Sequence, residues 1–173
     1  MSKIYFIVGA MGTGTTIISG ELVDSYRKNT QVAVIKILGI PEKLKNAGTK
    51  SAVETLEKIE TMIAAESSAD AIVFTGWRIP DHINEIYDSY PFATYIFTNA
   101  ESELKLNSYL KSYVSEEQMT GIRALQQSNI DNFVSTNSFA LTWNKVTDPV
   151  FDASRNVNVS EAGDVSIAVI GTL

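Results

Sequence analysis

The sequence predicts an α/β protein in which a mostly parallel sheet carries helices on both faces. Two observations predict it. Short runs of β-branched and aromatic residues alternate with longer runs whose apolar residues recur at helical spacing. The first short run ends in a glycine-rich turn that leads straight into a helical pattern. Right-handed crossovers then leave few topologies to choose from.

The elements follow in order. Residues 3–8 (KIYFIV), closed by Gly9, read as a buried strand. Residues 15–28 place Ile17, Ile18, Leu22 and Tyr26 at helical spacing. Residues 31–37 (QVAVIKI) are a second strand. Residues 51–65 set Val53, Leu56, Ile59 and Ile63 on one helical face, with Glu and Lys opposite. Residues 71–74 (AIVF) are a third strand, followed by Thr75-Gly76-Trp77-Arg78. Residues 81–88 read as a short helix after Pro80, and residues 92–97 (FATYIF) as a fourth strand. Residues 101–112 and 116–133 read as two helices. In the last forty residues, 138–142 and 165–170 are candidate strands on either side of a polar loop, 152–164.

A chain of 173 residues fits a single domain spanning 1–173. With no cysteine, disulfides, thiolate catalysis and zinc–thiolate sites are excluded together, which suits a cytoplasmic location. No apolar run reaches the roughly 18 residues that span a bilayer, so no membrane partner is expected. The first fourteen residues read as a strand and loop rather than a signal peptide. A net charge of −6 disfavours broad binding along a nucleic-acid backbone.

Residues 9–16 read Gly9-Ala10-Met11-Gly12-Thr13-Gly14-Thr15-Thr16. The phosphate-binding P-loop pattern is G-x-x-x-x-G-K-[ST] between a strand and a helix. Gly9, Gly14 and Thr16 match it, and Thr15 stands where the lysine belongs. Glycines let backbone N–H groups converge on phosphate oxygens, and the helix N-terminus adds partial positive charge. Gly9, Met11, Gly12, Thr13, Gly14, Thr15 and Thr16 are therefore the candidate nucleotide-binding residues, with Thr16 the candidate magnesium ligand. The missing ammonium would follow charge on the β and γ phosphates, and Lys36, ending the second strand, is the candidate substitute. The alternative is a strand–turn–helix connection whose glycines serve the turn alone. A dinucleotide fingerprint is not met, because the spacing runs Gly9, Gly12, Gly14 and no acidic residue ends the second strand.

Residues 72–87 (IVFTGWRIPDHINEIY) form a second constellation. This segment resembles the strand, Asp-Val-Arg-Phe-x-x-Glu and helix block of viral deoxynucleoside monophosphate kinases and related P-loop kinases. Residues 93–113 resemble the strand and helix that follow it there. The resemblance spans about residues 1–125 and implies a three-layer P-loop fold with a helical lid-like region around 101–133. It implies ATP and magnesium as cofactors, and a nucleotide or nucleoside as acceptor. On it, Arg78 matches the arginine that contacts a transferred or acceptor phosphate, a role its planar charged fork suits independently. Gly76 occupies the family's aspartate position and His82 that of its glutamate. Asp81 is a candidate for positioning a hydroxyl acceptor, and its place at a helix start also has a dipole explanation. Arg78 could equally be a surface residue paired with Asp81 or Glu85. His82, the sole histidine, suits polar surface or a general base.

Lys105, Lys111 and Arg123 are the cations available to a lid, and solvated helix surface explains them as well. Tyr87, Tyr90, Tyr95, Tyr109 and Tyr113 suit a pocket wall or a contact in a homodimer. The leading expectation is a nucleotide-kinase-like phosphotransferase that moves the γ-phosphoryl group of ATP to a nucleotide or to a modified nucleoside or base. A variant acting on a modified base within DNA is disfavoured by the acidic charge. The alternative is a non-catalytic descendant that binds a nucleotide or a protein.

Overall fold

The structure, a computed structural model, describes residues 2–10, 13–26, 32–36, 52–76, 78–100, 115–145 and 165–173. Its elements are β1 (Lys3–Val8), α1 (Thr15–Ser25), β2 (Val32–Lys36), α2 (Ala52–Ala65), β3 (Ala71–Thr75), α3 (Arg78–Asp81), α4 (Ile83–Ser89), β4 (Thr94–Ala100), α5 (Glu116–Thr136), β5 (Asn144–Lys145) and β6 (Val165–Ile170). Among the described residues the strands form one mixed sheet in the order β2-β3-β1-β4-β6-β5. The first four are parallel, while β6 runs antiparallel to both β4 and β5.

The period-two alternation of β1 divides the core. Tyr5 and Ile7 join Ala71, Val73, Ile96, Val165 and Ile167 on one face, under Ile18 and Leu22 of α1. Phe6 and Val8 join Ile72, Phe74, Tyr95, Phe97 and Ala168 on the other. That second face is covered by Ile59 of α2, Ile79 of α3, Ile83 and Ile86 of α4, and Ile130 and Phe133 of α5. Register aligns Phe6 with Phe74 and Tyr95. Its ring stacks on both neighbours at 5.2 Å between centroids, clamping the three central strands.

The connections obey chirality. From β1 the chain moves two places outward to β2 through α1. From β2 to β3, and from β3 to β4, it moves the other way, through α2 and through α3–α4. Right-handed crossovers that run in opposite directions must lie on opposite faces, and α1 indeed lies opposite the rest.

Several expectations need correction. The apolar face of residues 51–65 is rotated: Val53 is 62 % exposed, whereas Thr55 and Ile59 are fully buried. Val53 stands about 120° around the helix from Ile59, and a buried threonine carries no hydropathy signal. The single helix over 81–88 is two short helices, with Pro80 buried in the first turn of α3, where its missing N–H costs nothing. The fourth strand starts and ends later than 92–97, since Pro91 and Phe92 form a turn and pairing with β6 extends it to Ala100.

The candidate strand over 138–142 is a helix stop instead. Ser138 adopts φ 56°, its N–H bonds to the Ser135 carbonyl, and the Phe139 N–H bonds to the Val134 carbonyl. This is a Schellman closure. Phe139 folds back against Phe133 and Tyr87, with centroids 5.5 Å away in each case. Tyr87 and Tyr95 are accordingly core residues, not a pocket wall or a subunit contact: Tyr95 is fully buried and donates its hydroxyl to the Tyr90 carbonyl at 2.7 Å. Tyr109, Tyr113 and the helix over 101–112 lie outside the described residues. The helix expected over 116–133 is α5, started by a capping box in which Ser115 and Gln118 exchange bonds.

Candidate functional site

Ligands of open α/β sheets bind beyond the carboxyl ends of the strands, where neighbouring strands send their connections in opposite directions. Here that reversal falls between β1 and β3, which are adjacent. The glycine loop leaves β1 and the Gly76–Arg78 segment leaves β3. Register pairs Phe6 with Phe74, so the two segments start at nearly the same level. The two constellations distant in sequence are thus neighbours at one edge of the sheet.

The two ends of the glycine loop need glycine for different reasons. Gly9 lacks a positive φ, but a Cβ there would overlap Thr98 Oγ1 and come within 2.6 Å of Thr13 Oγ1 and 2.8 Å of Thr15 Cγ2. Its constraint is space. Gly14 has φ 90° and ψ 21° and is the N-cap of α1. Its constraint is conformation, since a side chain in the left-handed region is strained. Gly14 offers no side-chain cap, and no acidic residue occupies the first turn of α1, so the positive end of that helix is not neutralised locally.

Thr13 faces inward and is buried. Its N–H bonds to the Ala10 carbonyl at 3.2 Å. Its hydroxyl donates to the same carbonyl at 2.6 Å and lies 2.9 Å from the Thr98 hydroxyl. Thr15 is partly buried, and its methyl group lies over Gly9. Met11 and Gly12 lie outside the described residues, as does the Thr16 side chain; the Thr16 backbone is in the first turn of α1.

At the end of β3, Gly76 has φ 135°, a conformation that an aspartate would adopt only under strain. Trp77 lies outside the described residues. Arg78 is 5 % exposed, which removes the surface alternative. It opens α3 and donates through Nη1 to Thr55 Oγ1 of α2 at 3.4 Å. This contact joins it to α2, which packs on the sheet face opposite α1. Asp81 and His82 are partly buried at the junction of α3 and α4, where His82 is the N-cap of α4.

The backbone of Lys36 ends β2 in register with Thr75. It shares the carboxyl edge of the sheet with the glycine loop but stands two strands from β1, about 10 Å away. Lys105 and Lys111 lie outside the described residues, and Arg123 is a partly buried residue of α5. No group of three or more His, Cys, Asp or Glu that could hold a metal ion occurs among the described residues. No helix among them is long and apolar enough to cross a membrane.

Sequence reasoning missed Thr98. It ended the fourth strand at residue 97 and so left Thr98 to a polar turn. Antiparallel pairing of Thr98 with Ile167 keeps it in β4, and strand alternation sets it on the α1 face with Ile96, beneath the loop. The one signal available was the bare threonine after an apolar run, which is too common to notice. Comparison with protein-family models, curated proteins and solved structures finds no match for this chain.

Proposed function

We propose that the chain is a nucleotide-kinase-like P-loop phosphotransferase. It would hold the phosphates of ATP on residues 9–16 and move the γ-phosphoryl group to a nucleotide or to a modified nucleoside or base. The single observation that supports this most is the meeting of the glycine loop and the Arg78 segment on adjacent strands where the connections reverse. The close packing at Gly9 and the left-handed Gly14 support a preformed loop over a turn that merely changes direction.

In this reading, loop amides and the start of α1 bind phosphate, while Arg78 at the start of α3 and Lys36 at the end of β2 supply positive charge. Asp81 positions the acceptor hydroxyl. Magnesium takes few protein ligands where phosphates supply the rest, and the Thr16 hydroxyl would be its ligand from this chain. Positioning and charge neutralisation carry most of phosphoryl transfer. The missing P-loop ammonium removes a contact worth on the order of 2–4 kcal/mol in the transition state, so turnover is expected to be slow.

One observation favours a second reading, a nucleotide-binding protein that transfers nothing. The φ of 135° at Gly76 makes the family's aspartate position a glycine position in the backbone itself.

The test measures ATP consumption against a panel of nucleosides, nucleotides and DNA, with calorimetric titration of ATP alongside. Wild type, Arg78→Ala and Thr15→Lys are compared. Phosphorylation by wild type that Arg78→Ala abolishes supports the kinase. Triphosphate binding with no product from any acceptor supports the binder. Activity that appears only in Thr15→Lys marks a lapsed kinase. Absence of any nucleotide binding ends both readings.

A further inference from the structure

We propose that Thr98 is a positioning residue for the phosphate loop. Its hydroxyl acts through Thr13 to hold the Ala10 carbonyl, and so ties the two described ends of the glycine loop to β4. The proposal rests on the loop being an anion site, as argued above.

A threonine hydroxyl has one hydrogen to give and two lone pairs. Thr13 spends its hydrogen on the Ala10 carbonyl at 2.6 Å. At the 2.9 Å contact between Thr13 and Thr98, Thr98 must therefore be the donor. The result is a directed chain, Thr98 to Thr13 to Ala10. Each hydroxyl polarises the next, because both residues are buried, at 4 % and 8 % exposure.

The chain has a rigid end. Thr98 sits inside β4, one residue past its pairing with β1 and in register with Ile167 of β6, and a β-branched side chain in a strand has few rotamers. The Ala10 carbonyl receives a second bond, from the Thr13 N–H. Two donors on one carbonyl fix the plane of its peptide, since that unit is flat. Gly9 lets this happen, because any side chain there would displace the Thr98 hydroxyl. The sheet, through β4, thereby holds Ala10 and Thr13 in place before a ligand arrives, which lowers the ordering cost of binding.

The test uses the full chain at a temperature where every variant is folded by circular dichroism. Wild type, Thr98→Val, Thr98→Ser and Thr13→Val are titrated calorimetrically with ATP and with pyrophosphate. Valine keeps the shape of threonine and removes the hydroxyl; serine keeps the hydroxyl. Thr98→Val is expected to weaken both ligands roughly tenfold and Thr98→Ser less than about threefold. The double variant Thr98→Val/Thr13→Val should bind no worse than the weaker single, because one chain is broken once. If Thr98→Val does not fold, Thr98→Ala and Thr13→Val carry the same comparison.

Wild-type affinity in Thr98→Val, or equal loss in Thr98→Val and Thr98→Ser, overturns the positioning role and leaves the anion loop standing. Failure of wild type to bind either ligand removes the anion loop itself, and this role with it.

Discussion

Replacing Gly9 with alanine probes the loop where its packing is tightest. The new Cβ would overlap the Thr98 hydroxyl and stand 2.6 Å from Thr13 Oγ1 and 2.8 Å from Thr15 Cγ2. Carbon contacts are comfortable at about 3.5–4.0 Å, so all three neighbours must move by roughly an ångström. None is the end of a long flexible chain; each belongs to a β-branched residue with restricted rotamers. Overpacking of this kind costs about 1–3 kcal/mol, and breaking the Thr98–Thr13 hydrogen bond adds about 1. The φ of Gly9 is not positive, so backbone strain adds nothing. A loss of about 2–4 kcal/mol lowers the melting temperature by roughly 4–16 °C in a chain of this size. Urea denaturation should show a lower midpoint at constant slope, and Gly9→Ala/Thr98→Ala should regain part of the loss. A Gly9→Ala protein with the wild-type midpoint would refute the claim that space, rather than backbone freedom, demands glycine here.

Three further outcomes are expected. Gly76→Asp should lower stability by about 1–3 kcal/mol because a side chain at φ 135° is strained; thermal unfolding checks this, and unchanged stability would show a backbone free to relax. Ser138→Gly should raise stability by up to about 1 kcal/mol, since Ser138 is the non-glycine residue at the left-handed C′ position of α5; a loss instead would mean that its side chain contributes more than the strain costs. Burial, then the neighbouring Tyr87, Tyr90 and Asp88, raises the Tyr95 hydroxyl well above its ordinary range, and burial with the Tyr26 hydrogen bond does the same for Tyr5. Above pH 10 the unfolded chain therefore loses protons that the folded one keeps, so stability falls by about 1.4 kcal/mol per pH unit for each tyrosine. Tyr95→Phe should flatten that alkaline slope in denaturant titrations between pH 9 and 11, while costing about 1 kcal/mol at neutral pH through the lost bond to Tyr90.

The elements of the first hundred residues were largely legible because their signals are local. Lys3–Val8 and Ala71–Thr75 read as buried strands since both their faces are covered, giving unbroken apolar runs. Gly9 and Gly14 were legible as loop glycines, but not that one answers to space and the other to conformation. Arg78 was legible as a candidate phosphate contact, yet its burial against Thr55 was hidden, because Thr55 looks like a polar surface residue until the helix is rotated onto the sheet. Thr98 was invisible for a related reason: its importance comes from Gly9 and Thr13, which lie 89 and 85 residues earlier in the chain.

By itself, then, the amino-acid order determined the alternation of strands and helices, the parallel centre of the sheet and the glycine-rich turn, since propensity, period and turn chemistry act over a few residues. Only the tertiary structure decided that β6 closes antiparallel on β4, that the β1 and β3 segments leave the sheet side by side at the reversal of the connections, and that α1 lies on the face opposite α2 to α5. Those are contacts between residues far apart in the chain, where pairing and burial choose among arrangements that local preference leaves equal.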